Sequence, residues 1–257
     1  MPSAREPEQI YRETREEGRR RLARPPLELA ATALVGGFDV AFGVAAYTLA
    51  VRAVSGNAQQ IVGAVAFGIG FVFIVVGRSE LFTENFLIPV AGLDRNRLGS
   101  WAKLGELWAV ALVLNILGGV LLVVILSSHA VLPNGSDQPL VSLAQHIVDR
   151  STLSSFLSAL VAGALMTLMT WFVEGAADSM GVRIVMAWIT GALILLGTFN
   201  HAIVSTVELV FGMRYGADVD VSQLLANLGL AVAGNLAGGL LFVTFVRSVQ
   251  AAEGRST

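Results

Sequence analysis

The sequence predicts an all-α integral membrane protein of six transmembrane helices, arranged as two inverted repeats of three. Three observations carry this expectation. Of 257 residues, 54% are hydrophobic and 14% charged, with a mean hydropathy of +0.69; a water-soluble domain of this size needs more polar surface. Six apolar stretches occur near 27–53, 61–91, 104–128, 152–174, 184–212 and 222–247. The second and fifth run well past the ~20 residues that one crossing needs, and each carries polar residues beyond its middle.

Residues 1–26 precede the spans. REPEQIYRETREEGRRRLARPP reads as a mixed-charge helix that ends at Pro25-Pro26 rather than as a signal peptide. The expectation is a solvated cytoplasmic tail, with an interfacial helix using Ile10, Tyr11 and Leu22 as the alternative. Residues 27–248 are expected to form a six-span domain: repeat one over 27–128, an outer loop over 129–151 and repeat two over 152–247. Residues 249–257 are a second cytoplasmic tail.

The first span carries VGGFDVAFG, whose glycines allow close helix packing, as does GNLAG (234–238) in the sixth. The third and fourth are ordinary crossings. The turn-rich LPNGSDQPL marks the outer loop as a vestibule lid, and Glu174, Asp178 and Arg183 fall in a short link between the halves. With the N-terminus inside, cytoplasmic segments hold thirteen of the 17 basic residues, and outer loops only Arg52, Arg150 and Arg214. This asymmetry puts both termini in the cytoplasm.

The two long spans hold equivalent places in the two halves, and interruptions at corresponding positions point to a central permeation site. The interruptions are GRSELFTENF (77–86) and TFNHAIVS (198–205). Non-helical backbone at that depth lies against protein or a watery cavity, so both breaks are expected to meet near the midplane. Arg78 is expected to pair with Glu80 or Glu84, and Glu80 to accept from N–H groups freed at the break. Glu84 is expected at a vestibule, and Asp39 and Glu208 are further acids within spans.

At these residues the chain resembles the formate/nitrite transporter family. Glu80, Leu81, Phe82, Thr83 and Asn85 match its Glu-Leu-Phe-Thr-Gly-Asn-like loop, and Phe199, His201 and Ile203 its Phe-Glu-His-Ser-Ile-Ala-Asn-like loop. The resemblance implies an aquaporin-like homopentamer with one pore per protomer, passing small monovalent weak acids or their anions. It implies that Thr83 and His201 face the pore, with Phe82, Phe71 and Ile194 at narrow points and Asn200 and Phe199 beside the histidine. The departures are informative. Aligning Phe156 with the phenylalanine that opens the family's fourth span places Ser151 where an outer-loop lysine is usual. The only lysine is Lys103, on the inner side, which leaves Arg150, beside Asp149, as the available substitute. Asn200 stands for the glutamate before the histidine, Thr167 for an asparagine, and Glu84 for a small residue.

A bare ion in a dry constriction costs several kcal/mol even after relaxation, so a ring of Phe and Ile favours a weak acid that crosses neutral. His201 is expected to hydrogen-bond the permeant or relay a proton, or else to lock the loop. The intramembrane acids keep open an ammonium-like weak base as permeant. An occluded structural or sensory protein is a further alternative. A Ser79–His201 enzyme is disfavoured because GRSE lacks the second glycine of a nucleophile elbow. Zero cysteines exclude thiol chemistry and disulfides. No cofactor, metal or nucleic acid is expected; the expected partners are the solute, the bilayer and further copies of the chain.

Overall fold

The structure, a computed structural model, describes residues 5–128, 131–176 and 178–253. Helix α1 (Pro7–Leu22) is followed by α2 (Pro26–Ala53), opened by its own proline at the first turn, where the missing N–H costs nothing. Helix α3 (Gln59–Gly77) stops short; a tight turn over Phe82–Phe86 and the short α4 (Ile88–Gly92) complete the second span. Helix α5 (Leu98–Leu126) is the third span, and α7 (Thr152–Gly175) the fourth. The fifth is divided into α8 (Met180–Leu196) and α9 (Ala202–Arg214). The sixth is α10 (Val221–Ala237), continued by a wider π-type turn over Gly238–Thr244 and by α11 (Phe245–Glu253).

Among the described residues, five helices are long and apolar enough to cross a membrane, and α8 is a shorter apolar helix. Leu117, Leu121, Ile125, Leu157, Leu241 and Phe242 point outward, which is the arrangement a lipid solvent selects. Inside, α2 packs on α3 and α5, α3 on α8, and α7 on α10.

Both breaks are built alike. Arg78, one residue past α3, and Thr198, two residues past α8, take left-handed backbone with φ 55° and 48°. This conformation costs a non-glycine residue about 1–2 kcal/mol, so the surroundings must hold it. They do so through two asparagines. Asn115 of α5 accepts from the Phe82 N–H at 2.8 Å and donates to the carbonyls of Ala33 and Glu80. Asn235 of α10 accepts from the Ala202 N–H at 2.9 Å and donates to the carbonyls of Ala159 and Asn200. The same three bonds thus recur in each repeat. Gly37 and Gly163 lie against the backbone carbonyls of Asn115 and Asn235, where a Cβ would overlap them.

The charged N-terminal segment corrects the expectation of a solvated tail. Helix α1 lies on α4 and reaches α11, with Ile10 and Thr14 buried. Gly18 is the closest point: a side chain there would run into the Ile88 carbonyl and the backbone of Gly92. Gly18→Leu should therefore lift α1 off its seat. Trypsin should then cut at the arginines of α1 in detergent-solubilised variant while sparing wild type, and equal protection of the two would contradict the docking.

The outer loop also differs from the turn-rich lid that was expected. It contains α6 (Asp137–Val148), which packs on α9 through Leu140, Ala144 and Ile147. The apolar residues of PLVSLAQHIV recur at helical spacing, and they outweigh the turn residues before them.

Candidate functional site: the junction of the two broken spans

The turn after α3 carries Thr83 inward, and the gap after α8 presents His201 to it. Thr83 Oγ1 and His201 Nε2 are 2.7 Å apart, and both residues are fully buried. The imidazole has one assigned role at each nitrogen. His201 is the N-cap of α9, and its Nδ1 accepts from the N–H groups of Ile203 and Val204, each at 3.2 Å. Nδ1 therefore carries no proton, and the proton of the neutral ring sits on Nε2 and is donated to Thr83. The Thr83 hydroxyl proton finds no further acceptor among the described residues.

The walls are apolar. Phe71 meets the His201 ring edge-on with centroids 6.1 Å apart and lies against Phe67. Phe82 packs edge-on to Phe86 at 5.2 Å. Phe82 and Ile194 are both buried. Phe199 is half-buried, its N–H donating to the Ile194 carbonyl.

The Asn200 side chain, expected beside the solute pathway, is taken up by protein partners. Its amide exchanges two hydrogen bonds with Asn227, at 2.9 and 3.2 Å, and reaches the Ser155 carbonyl. It braces the second break instead.

The charges around the first break also correct the expected pairing. Glu80 does not pair with Arg78; its carboxylate is bound by Arg21 at 3.1 Å and by Arg24, both from the N-terminal segment. The freed Phe82 N–H goes to Asn115 rather than to Glu80. Arg78 is exposed and contributes its backbone, whose N–H bonds the Ile74 carbonyl. Arg21 also donates to Asn85 Oδ1, while Asn85 itself holds the Leu81 carbonyl. Burial alone would lower the Arg21 pKa, but Glu80, Glu84, Glu17 and Glu174 outweigh it and the pKa is raised. Ser79 is hydrogen-bonded to Asp39 at 2.6 Å, not to His201, so the hydrolase-like dyad does not form.

A cavity of about 270 Å³ is lined by α1 and by Glu80 and Glu84 of the first break. Five arginines and four glutamates line it, so it is not the acidic vestibule that a cation pathway calls for. On the opposite face Arg150 donates to Ser158 Oγ and, at 2.6 Å, to Thr198 Oγ1. Ser151, at the aligned lysine position, is occupied as the N-cap of α7. Burial lowers the Arg150 pKa, with the Glu208 carboxylate opposing.

The braces Asn115 and Asn235 escape a reading of the sequence by hydropathy. A signal was present: Asn115-Ile-Leu-Gly-Gly and Asn235-Leu-Ala-Gly-Gly share Asn-x-x-Gly-Gly in the third and sixth spans.

Residues 8–249 match the family model described as Formate/nitrite transporter. The inner membrane protein YfdC of Escherichia coli (strain K12) is 24% identical over 94% of this chain and 77% of its own length. The uncharacterized transporter YrhG of Bacillus subtilis (strain 168) is 25% identical over 94% and 92%. Among solved structures, one described as an FNT family ion channel superposes with a TM-score of 0.79 at 17% identity, over 94% of this chain and 98% of that one. A pentameric formate channel with formate bound gives 0.73 at 21% identity, over 87% and 96%.

Proposed function

Because this multi-pass membrane chain belongs to the formate/nitrite transporter family, we propose that it conducts a small monovalent weak acid, formate- or nitrite-like, through a pore in each protomer. The observation that carries this reading is the Thr83–His201 bond, which joins the two breaks inside an apolar constriction. There the Thr83 hydroxyl proton faces the path, fixed by an imidazole that is itself fixed by the α9 N-terminus. A carboxylic or nitrous acid oxygen accepts that proton as it passes. A bare anion would lose its hydration with only one hydroxyl in exchange, a penalty of several kcal/mol; the neutral acid avoids it. His201 acts as positioning group rather than as proton carrier. A proton placed on Nδ1 would face two backbone N–H groups and the positive end of the α9 dipole.

Residues 27–248 form the channel domain, and the face that carries α1, α11 and the α4–α5 link, rich in arginine, is cytoplasmic by the positive-inside rule. On the other face Arg150 gathers anions at the outer break in place of the absent lysine. A homopentamer is supported by likeness to a pentameric formate channel. The basic balance of the inner cavity disfavours the weak-base alternative.

Uptake of formate, nitrite and methylamine by purified protein in liposomes, over a series of pH gradients, tests the substrate class. Both acids should enter faster than into empty liposomes, most strongly with acid outside. Methylamine uptake with neither acid would overturn the proposal.

A further inference from the structure

The inner cavity holds two buried carboxyls in different surroundings. Glu80 is bound by Arg21 and Arg24. Glu84 is 7% exposed, lines the same cavity, and receives no side-chain hydrogen bond or ion pair among the described residues. It directly follows Thr83, the residue that holds the constriction. It is therefore where the polar cavity gives way to the apolar path.

Close by, the Nε of Arg183 is buried and has no partner among the described residues. Arg183 and Arg78 line the cavity without an ion pair there, so guanidinium donors stand ready for an anion beside an uncommitted carboxyl. Two like groups held in contrasting environments commonly divide acid and base roles. The permeant needs a proton at this boundary, and His201, with both nitrogens engaged, does not provide one.

We propose that Glu84 is the proton donor and acceptor of the inner mouth, converting the anion held at Arg183 and Arg78 into the neutral acid that crosses. This rests on the weak-acid reading above. The step balances simply: the Glu84 carboxyl O–H bond breaks, an O–H bond forms on the permeant anion, and Glu84 is left as carboxylate. Water in the cavity returns the proton. In the opposite direction the arriving acid gives its proton to the Glu84 carboxylate and leaves as the anion. The charged groups that face Glu84 are Arg21, Arg20, Arg24 and Glu17 from the N-terminal segment, Glu80 and Arg78 from its own span, Glu174 from α7 and Arg183 from α8.

The test is formate flux in liposomes as a function of symmetric pH, from about 4.5 to 8. Without a donor, flux follows the free neutral acid, which falls about tenfold per pH unit above the acid's own pKa. Wild type should fall less steeply. Glu84→Gln should restore the tenfold slope, lowering flux near neutral pH while keeping it at the acid end, and Glu84→Asp should return part of the shallow profile. Equal slopes for wild type and Glu84→Gln, or a uniform reduction at every pH, would overturn the proposal and leave the weak-acid reading standing. Absence of acid flux in wild type would overturn both. Wild type also carries an arm that needs no variant. Across acids of graded strength at one pH, its flux should change less than tenfold per unit of substrate pKa, and a full tenfold change would count against Glu84.

Discussion

Replacing Asn235 by alanine should cost about 2–5 kcal/mol of stability, and Asn115→Ala a similar amount. Each asparagine satisfies an N–H that begins a new segment after a break, and donates to two carbonyls. Leaving a buried polar group unmet costs about 1–3 kcal/mol, and inside a bilayer no bulk water takes the asparagine's place. Thermal unfolding in detergent measures the effect, with Asn227→Ala as a milder comparison, because among the described residues the Asn227 side chain pairs only with that of Asn200. A loss below about 1 kcal/mol for both braces would mean that other groups hold the breaks.

His201→Asn should lower acid flux by about 5- to 150-fold while leaving the assembled protein intact. The estimate is the loss of one well-placed hydrogen bond in a dry site, about 1–3 kcal/mol. Asparagine is a good N-cap and keeps an acceptor for the first turn of α9, but it is too short to hold the Thr83 hydroxyl. His201→Phe should lose flux and, in addition, about 1 kcal/mol of stability with the cap. Undiminished flux in both variants, measured in liposomes at matched protein content, would leave His201 as scaffold alone.

The six spans and the two interruptions were legible because polar residues inside apolar runs have few explanations in lipid. Thr83 and His201 stood out for the same reason, and they lie in contact. What was not legible depended on distant partners. Arg78 was expected to find Glu80 or Glu84, its near neighbours, yet it sits in the left-handed backbone that ends α3 and Glu80 is bound by Arg21 and Arg24 instead. The arginines that bind Glu80 come from an N-terminal segment that looked solvated, Arg21 from α1 and Arg24 from the link that follows it. A small residue inside that helix, Gly18, was the sign that it docks, since glycine weakens a free helix by about 1 kcal/mol and is used here for close approach. Asn115 and Asn235 were hidden because each is a single polar residue in an otherwise ordinary span. Only comparison of the two halves shows that they occupy the same place. Asn200 looked like a pore residue from its position beside His201, but its Asn227 partner lies one span away and decides its role.

Formate flux into liposomes under an imposed membrane potential, with pH equal on both sides, is the most direct test of passage through a dry constriction as a neutral acid. Moving one charge across 100 mV is worth about 2.3 kcal/mol, enough to shift an anion's distribution about 50-fold. Flux above that of empty liposomes and unchanged by the potential is the predicted result. Flux that follows the potential would mean that the anion itself crosses, and would contradict a constriction at Thr83 and His201 that excludes charge.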